Sequence, residues 1–473
     1  MTRKLLDTDQ KALEINLDDT VYGTFAEIGA GQEVARYFFK AGAAVGTIAK
    51  TMSAYDKVYS DQIYGAEASG RYVCESRLYK MLDHEYDLME SRLSEHRPDT
   101  KFFVFADTVS AINYTRTVKG HGWLGMRFQL DPKGPTNDFI LHVRMLDNNN
   151  HLQQQAIGKL GVNMVYASFN YHHDIDQLVK SLLDDIKDRV VIDMIHIDGP
   201  DFKHMDDRML CLKIVEHGLS EVAIFNDKGR SVHVSEFLYK KSVIVVRGHY
   251  KPPTLTSVDV FKQSSRQFCT DAICELNQTH MLAELTLDNL KSEDQLDEKD
   301  YLHRADLLNA LGQYVLVSDC KSHQNLISYL RDYKVSKLGL LIGVRELLEI
   351  ITRNFEQNRS GNLLSAMGEL FTKDIRIYTY PALTEDGTIL RAKDLPVPEG
   401  IEFLYKYLLD SQHIVEVEEY DESLLKIFPW EVLRLIREGD DAWKEMVPEE
   451  IIGLIEEKKM FGYKQAAAQI NEN

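Results

Sequence analysis

Histidines and aspartates crowd into two short stretches of this chain, residues 171–176 and 196–208. The first carries His172, His173, Asp174 and Asp176, and the second carries His196, Asp198, Asp201, His204, Asp206 and Asp207. Imidazoles beside carboxylates are the raw material of general acid-base chemistry and of metal coordination. One imidazole with two carboxylates suits Mn, Fe or Zn, whereas carboxylates alone suit Mg. The candidate catalytic residues are His172, His173, Asp201 and His204, and the candidate ligands of a divalent metal are His173, Asp174, Asp198 and Asp206. Short polar side chains also serve as turn formers and helix caps, and that plainer reading competes at each position.

A second constellation is Glu27, Gly29 and Gly31. It resembles the opening of the glycine motif by which nucleotide-binding α/β folds let a ligand approach backbone at a strand-to-helix turn. The third glycine is missing, and the preceding strand over 18–25 is weak and interrupted by Gly23, so a tight turn or close helix packing is the alternative. Further along, Gly120, His121, Gly122, Trp123 and Arg127 form a glycine-rich segment in which Arg127 is a candidate for holding an anionic group of a cofactor. Trp123 reads better as a core residue. Arg144, Arg247 and His249 fall in or just beyond strand-like runs and add candidates for a phosphate clamp, while Asp107, Asp227 and Asp319 follow apolar runs where aspartate is also a routine cap. No phosphate loop ending in G-K-[ST], no G-x-S-x-G elbow and no H-E-x-x-H helix occurs.

The elements that must position these residues point to an α/β protein with a central mixed or parallel sheet and helical N-terminal and C-terminal segments. Residues 1–100 read as a helical N-terminal segment. Residues 101–250 read as an α/β core, with strand-length apolar runs at 102–106, 139–145, 162–169, 190–197, 222–225 and 243–246 and a helix over 175–186; the run from Val162 has helix as its alternative, against which Gly158 and Gly161 count. Prolines 252 and 253 mark a joint. Residues 251–400 form a second α/β segment with strands at 314–317 and 338–342, and 401–473 return to helices, including 430–437 and 449–457.

Composition sets outer limits. With 473 residues, 44% hydrophobic and 27% charged, the chain has ample material for more than one core. A formal charge of −19 argues against a sequence-independent grip on nucleic acid. Five cysteines without a C-x-x-C pair suit a reducing compartment, and an N-terminus that turns acidic where a leader would turn apolar points to the cytoplasm with no membrane partner.

Residues 24–36, the Gly199-Pro200-Asp201-Phe202 segment and the Met460-Phe461-Gly462-Tyr463 segment resemble an uncharacterised full-length bacterial family. Its members carry inconsistent names, nicotinate-nucleotide adenylyltransferase in some and TonB-dependent outer-membrane receptor in others. The first name implies nucleotide chemistry, but its H-x-G-H pair and S-x-T-x-x-R segment are not in this chain, so no residue carries over. The expectation is a cytosolic enzyme acting on a small phosphorylated or nucleotide-like substrate, with either a divalent metal or a histidine-carboxylate acid-base pair drawn from residues 172–208. The alternative is a non-catalytic homo-oligomeric scaffold, which would present Trp430, Leu433, Leu435 and Ile436 as an exposed helix face.

Overall fold

The computed structural model describes residues 5–68, 70–272, 279–292, 295–358, 362–371 and 375–464. Cys274 and the polar tail 465–473, read from sequence as fraying or forming a short helix, lie outside the described residues. The α/β class is borne out, and the chain divides into two compact units, 1–223 and 224–473, so the four expected segments regroup into two.

The first unit is built on six strands: β1 Val21–Gly29, β2 Ile48–Ala54, β3 Lys101–Ser110, β4 His121–Gln129, β5 Thr136–Met145 and β6 Val190–Asp198, in the order β2-β1-β3-β4-β5-β6. β1 runs parallel to β2 and β3, whereas β4, β5 and β6 each run antiparallel to the strand before them. Helices α1 Thr8–Asn16, α2 Val34–Ala41 and α4 Asn150–Asn170 pack together. On another side of the core, α3 Glu75–Leu93 presents Leu78, Met81, Leu82 and Tyr86 to Ala26, Ile28, Val104, Ala106 and Trp123. Shorter helices α5 Ile175–Ser181 and α6 Asp207–Glu216 flank β6 in sequence.

Two readings of the sequence need correction here. The expected helical layer over 1–100 contains β1 and β2, and β1 is buried along nearly its whole length. Gly23, which read as a strand breaker, is the residue that permits this burial: a Cβ there would stand 2.4 Å from the Phe103 ring and 2.5 Å from the Phe103 carbonyl oxygen. The run 162–169 is part of α4 and not a strand. That helix is buried around most of its circumference, so its 3.6-residue period is blurred. Its glycines seat it closely on α2, since a Cβ at Gly161 would meet Val34 Cγ2 at 2.4 Å.

The second unit holds an eight-stranded sheet: β7 Val222–Phe225, β8 Ser231–Val232, β9 Ser242–Arg247, β10 Thr279–Thr286, β11 Tyr314–Ser318, β12 Lys337–Gly343, β13 Ile375–Tyr380 and β14 Ile414–Glu416. The order is β14-β13-β12-β9-β10-β11-β7-β8. From β14 to β11 every neighbouring pair is parallel. Numbered from β9, the six parallel strands run 3-2-1-4-5-6, the order of a doubly wound dinucleotide-type sheet, and the direction of winding reverses between β9 and β12. The connections include α7 Leu255–Ala272, α8 Glu298–Ala310, α9 His323–Asp332 and α10 Val344–Gln357. The joint expected after Val246 is thus the link from β9 to α7 inside this unit.

C-terminal helices α11 Pro429–Glu438 and α12 Glu449–Glu457 bury Val432, Ile436, Ile451 and Ile455 around Trp443 and against Leu307 of α8. The stripe offered for self-association is therefore turned into its own unit at Leu435 and Ile436, with Trp430 left outside. No helix among the described residues is long and apolar enough to cross a membrane.

Candidate functional site

The histidine-aspartate stretches fold into local structure. His172 and His173 follow helix α4, and the His172 imidazole Nδ1 lies 3.2 Å from the Phe169 carbonyl oxygen, with its pKa pushed down by burial. Asp174 caps α5 by accepting from the Gln177 amide at 3.1 Å, and Asp206 caps α6 while binding the Arg208 guanidinium at 2.6 Å. Asp198 accepts from the Gly199 amide at 3.0 Å. Asp201 exchanges two hydrogen bonds with Asn137, at 2.8 and 3.1 Å, and His204 stacks on Phe202 with ring centres 6.2 Å apart. His173, Asp174, Asp198 and Asp206 do not converge into a group with metal-ligand spacing.

The reason lies in strand direction. A strand end is a ligand position when it is the carboxyl end of a parallel strand. β6 runs antiparallel to β5, and its last residue Asp198 pairs with Asp138 near the start of β5, level with the amino ends of β1 and β3. The 196–208 segment therefore leaves the sheet at the opposite end from Glu27 and Gly29. Within the first unit, Asp176, Glu216 and His217 do approach each other, but the Lys213 ammonium already stands 2.7 Å from Glu216 and 3.6 Å from Asp176.

Glu27, Gly29 and Gly31 do lie at the carboxyl end of a buried parallel strand leading into a helix, although Gly23 in the sequence argues against such a strand. The helix N-terminus is filled from within. Glu27 Oε1 accepts from the Val34 amide at 2.8 Å and the Ala35 amide at 3.4 Å. Beside it, in register on β3, Asp107 is fully buried, and neither carboxylate oxygen makes a hydrogen bond of normal geometry. Burial raises the Glu27 pKa to about 7, and burial with the neighbouring Glu27 charge raises Asp107 well above the carboxylate range. Gly31 packs on that carboxyl group, where a Cβ would fall 1.9 Å from Asp107 Oδ1. Arg127 is committed to both oxygens of Asp138, at 2.7 and 2.8 Å, and to Asp83 at 2.5 Å. Trp123 is a core residue, 1% exposed.

The second unit assembles polar groups where its winding reverses. Arg247 ends β9 and Glu284 lies near the end of β10, and their side chains meet in a two-point ion pair at 2.8 and 2.9 Å. The Ser318 hydroxyl at the end of β11 donates to Glu284 at 2.6 Å, and the Cys320 carbonyl accepts from Arg247 Nη2 at 3.2 Å. Three hydrogen bonds thus fix the guanidinium, and its Nη1 donates to no group among the described residues.

Across the reversal, β12 ends at Gly343, which is the N-cap of α10. No side chain caps that helix, and a Cβ at Gly343 would meet nothing within 4 Å. The first turn of a helix carries amide N–H groups without helical partners, so this end is electropositive. His323, in the first turn of α9, is 6% exposed; its Nε2 makes no hydrogen bond and lies 3.8 Å from Glu346 of α10. Burial, with Arg247 and Arg353 nearby, drives the His323 pKa down to about 3, so the ring is neutral at pH 7. Burial raises the Glu346 carboxyl above its ordinary value although Arg247 opposes the shift. Arg247 and His249 had been noted from sequence as clamp candidates; Gly343, His323 and Glu346 carry no local motif and become visible only through strand order.

No family model matches the chain, and no curated protein matches it. Solved structures do match in part. A competence/damage-inducible protein from Agrobacterium tumefaciens is 17% identical, covers 35% of this chain and 98% of its own, and has a TM-score of 0.26. The competence damage-inducible protein A of Klebsiella pneumoniae subsp. pneumoniae is 11% identical, covers 36% of this chain and 99% of its own, and has a TM-score of 0.27. Neither the family models nor the curated proteins support the adenylyltransferase and receptor names suggested by the sequence resemblance. At such TM-scores the likeness carries no argument about activity.

Proposed function

We propose that the chain is an enzyme acting on a small phosphorylated or nucleotide-like molecule, held at the carboxyl edge of the second unit's sheet where β9 and β12 diverge. The observation that carries this reading is the Arg247 guanidinium, fixed by Glu284 and Cys320 with Nη1 unused, in a unit whose α10 begins at a glycine with open space above it. Doubly wound sheets bind ligands at this position, and a helix N-terminus with a guanidinium suits phosphate oxygens. His323 and Glu346 supply a neutral imidazole and a carboxyl of raised pKa, a pair suited to proton transfer.

Gly343→Asp tests the reading because it separates stability from binding. The new carboxylate fits the N-cap position and should stabilise α10 by a few tenths of a kcal/mol. The same charge occupies the place of the phosphate. In a thermal-shift panel of nucleoside monophosphates and pyrophosphate, the native chain should show a ligand-dependent rise in melting temperature that the variant loses. A panel without any shift, or an equal shift in the variant, contradicts the reading.

A further inference from the structure

A cavity of about 260 Å³ opens further along the carboxyl edge of the second sheet, above the ends of β13 and β14. Its wall includes Arg391 and Lys393 on one stretch of chain and Glu416, Glu418 and Tyr420 on another. Side-chain bonds to backbone hold both stretches in place. Gln267 of α7 donates to the Glu416 carbonyl and accepts from the Glu418 amide, each at 2.9 Å, and the Tyr405 hydroxyl donates to the Ala392 carbonyl at 2.6 Å. Asp259 accepts from the Tyr380 hydroxyl and the Asp421 amide, which fixes the floor beside Tyr420.

Opposite charges around a small space ordinarily close on one another. Here they do not: Arg391 donates to the Tyr420 hydroxyl at 3.1 Å, and Glu416 accepts from the Lys393 backbone amide at 2.9 Å. No ion pair joins either cation to either carboxylate among the described residues, although the Glu416 and Glu422 charges are near enough to favour the charged Arg391 guanidinium. The cavity is below the usual 300–1,000 Å³ of ligand pockets, which suits a small metabolite.

We propose that this cavity is a binding site for a small zwitterion of the α-amino-acid class, its carboxylate meeting Arg391 and Lys393 and its ammonium meeting Glu416 and Glu418. A ligand with both charges satisfies two sets of groups that the scaffold keeps apart. A simple anion or cation satisfies one set and leaves the other facing a like charge. The site is independent of the β9–β12 crevice and does not rest on the function proposed for it.

The test is a thermal-shift screen of the full chain against the twenty standard amino acids, with calorimetry on any that bind. The best binder is then compared with its N-acetyl and methyl-ester derivatives. Binding that falls at least tenfold when either charge is blocked, and again in Arg391→Met and Glu416→Gln, is the expected result. These side chains lie outside the apolar core, so an unchanged circular dichroism spectrum separates lost binding from lost folding. No shift with any amino acid overturns the proposal, as does equal binding of the blocked derivatives. Gly343→Asp should leave amino-acid binding intact, and its loss in that variant overturns the independence of the two sites.

Discussion

Glu27 offers a prediction whose size follows from the structure. In the folded chain its pKa is raised from 4.5 to about 7, chiefly by burial, with the bonds from the Val34 and Ala35 amides acting in the opposite sense. A carboxyl raised on folding favours the protonated native state. Its stabilising effect is present below the unfolded value near 4.5 and is lost as pH rises through about 7. At 1.36 kcal/mol per unit the shift corresponds to about 3 kcal/mol. Glu27→Gln keeps a carbonyl oxygen to cap α2 and removes the Glu27 titration, while that of buried Asp107 remains. The variant should therefore match the native chain at pH 4 and exceed it by about 3 kcal/mol above pH 8. For a unit of this size that is roughly 6 to 12 °C in melting temperature. The assay is the melting transition of the first unit, followed in the intact chain by calorimetry from pH 4 to 9. A variant less stable than the native chain at every pH would refute the reasoning, because it would mean that the ionised cap contributes more than its burial costs.

Other expectations follow from single contacts. Gly23→Ala places a methyl group inside the Phe103 ring and carbonyl, and should destabilise the first unit by about 3 kcal/mol or more, measured by urea unfolding. Glu284→Ala leaves Arg247 buried without its partner and should cost about 3–5 kcal/mol in the second unit. His323 is held neutral on folding, so its contribution is full above pH 6.5 and is lost as pH falls from there toward 3; His323→Leu should flatten that acid limb of the stability profile.

Much of the second unit was legible in the sequence. The runs at 314–317 and 338–342 are β11 and β12, and the helix signals at 430–437 and 449–457 are α11 and α12, because each has a clear period and flanking turn residues. The first unit was harder for a physical reason. Gly23 looks like a breaker in one dimension and is a close contact in three, and α4 is too uniformly buried to show its amphipathic period. The site followed the same pattern. Residues 196–208 follow the strand-like run 190–197, but which strand ends can hold a ligand depends on strand direction, which is set by connections that no local window contains. His323 and Glu346 are 23 positions apart by their numbers and meet only because the chain returns to the other side of β9. The densest reactive residue types sit in loops whose carboxylates cap helices, while at the winding reversal only Arg247 and His249 stand out in the sequence.

Hydrogen exchange with mass spectrometry on the intact chain, with and without saturating nucleoside monophosphate, tests the central claim most directly. Ligand at the β9–β12 crevice should slow exchange of the amides at 343–347, in the first turn of α10, together with those at 247–249. Protection confined to other segments, or no protection by any nucleotide or phosphorylated probe, would contradict the account.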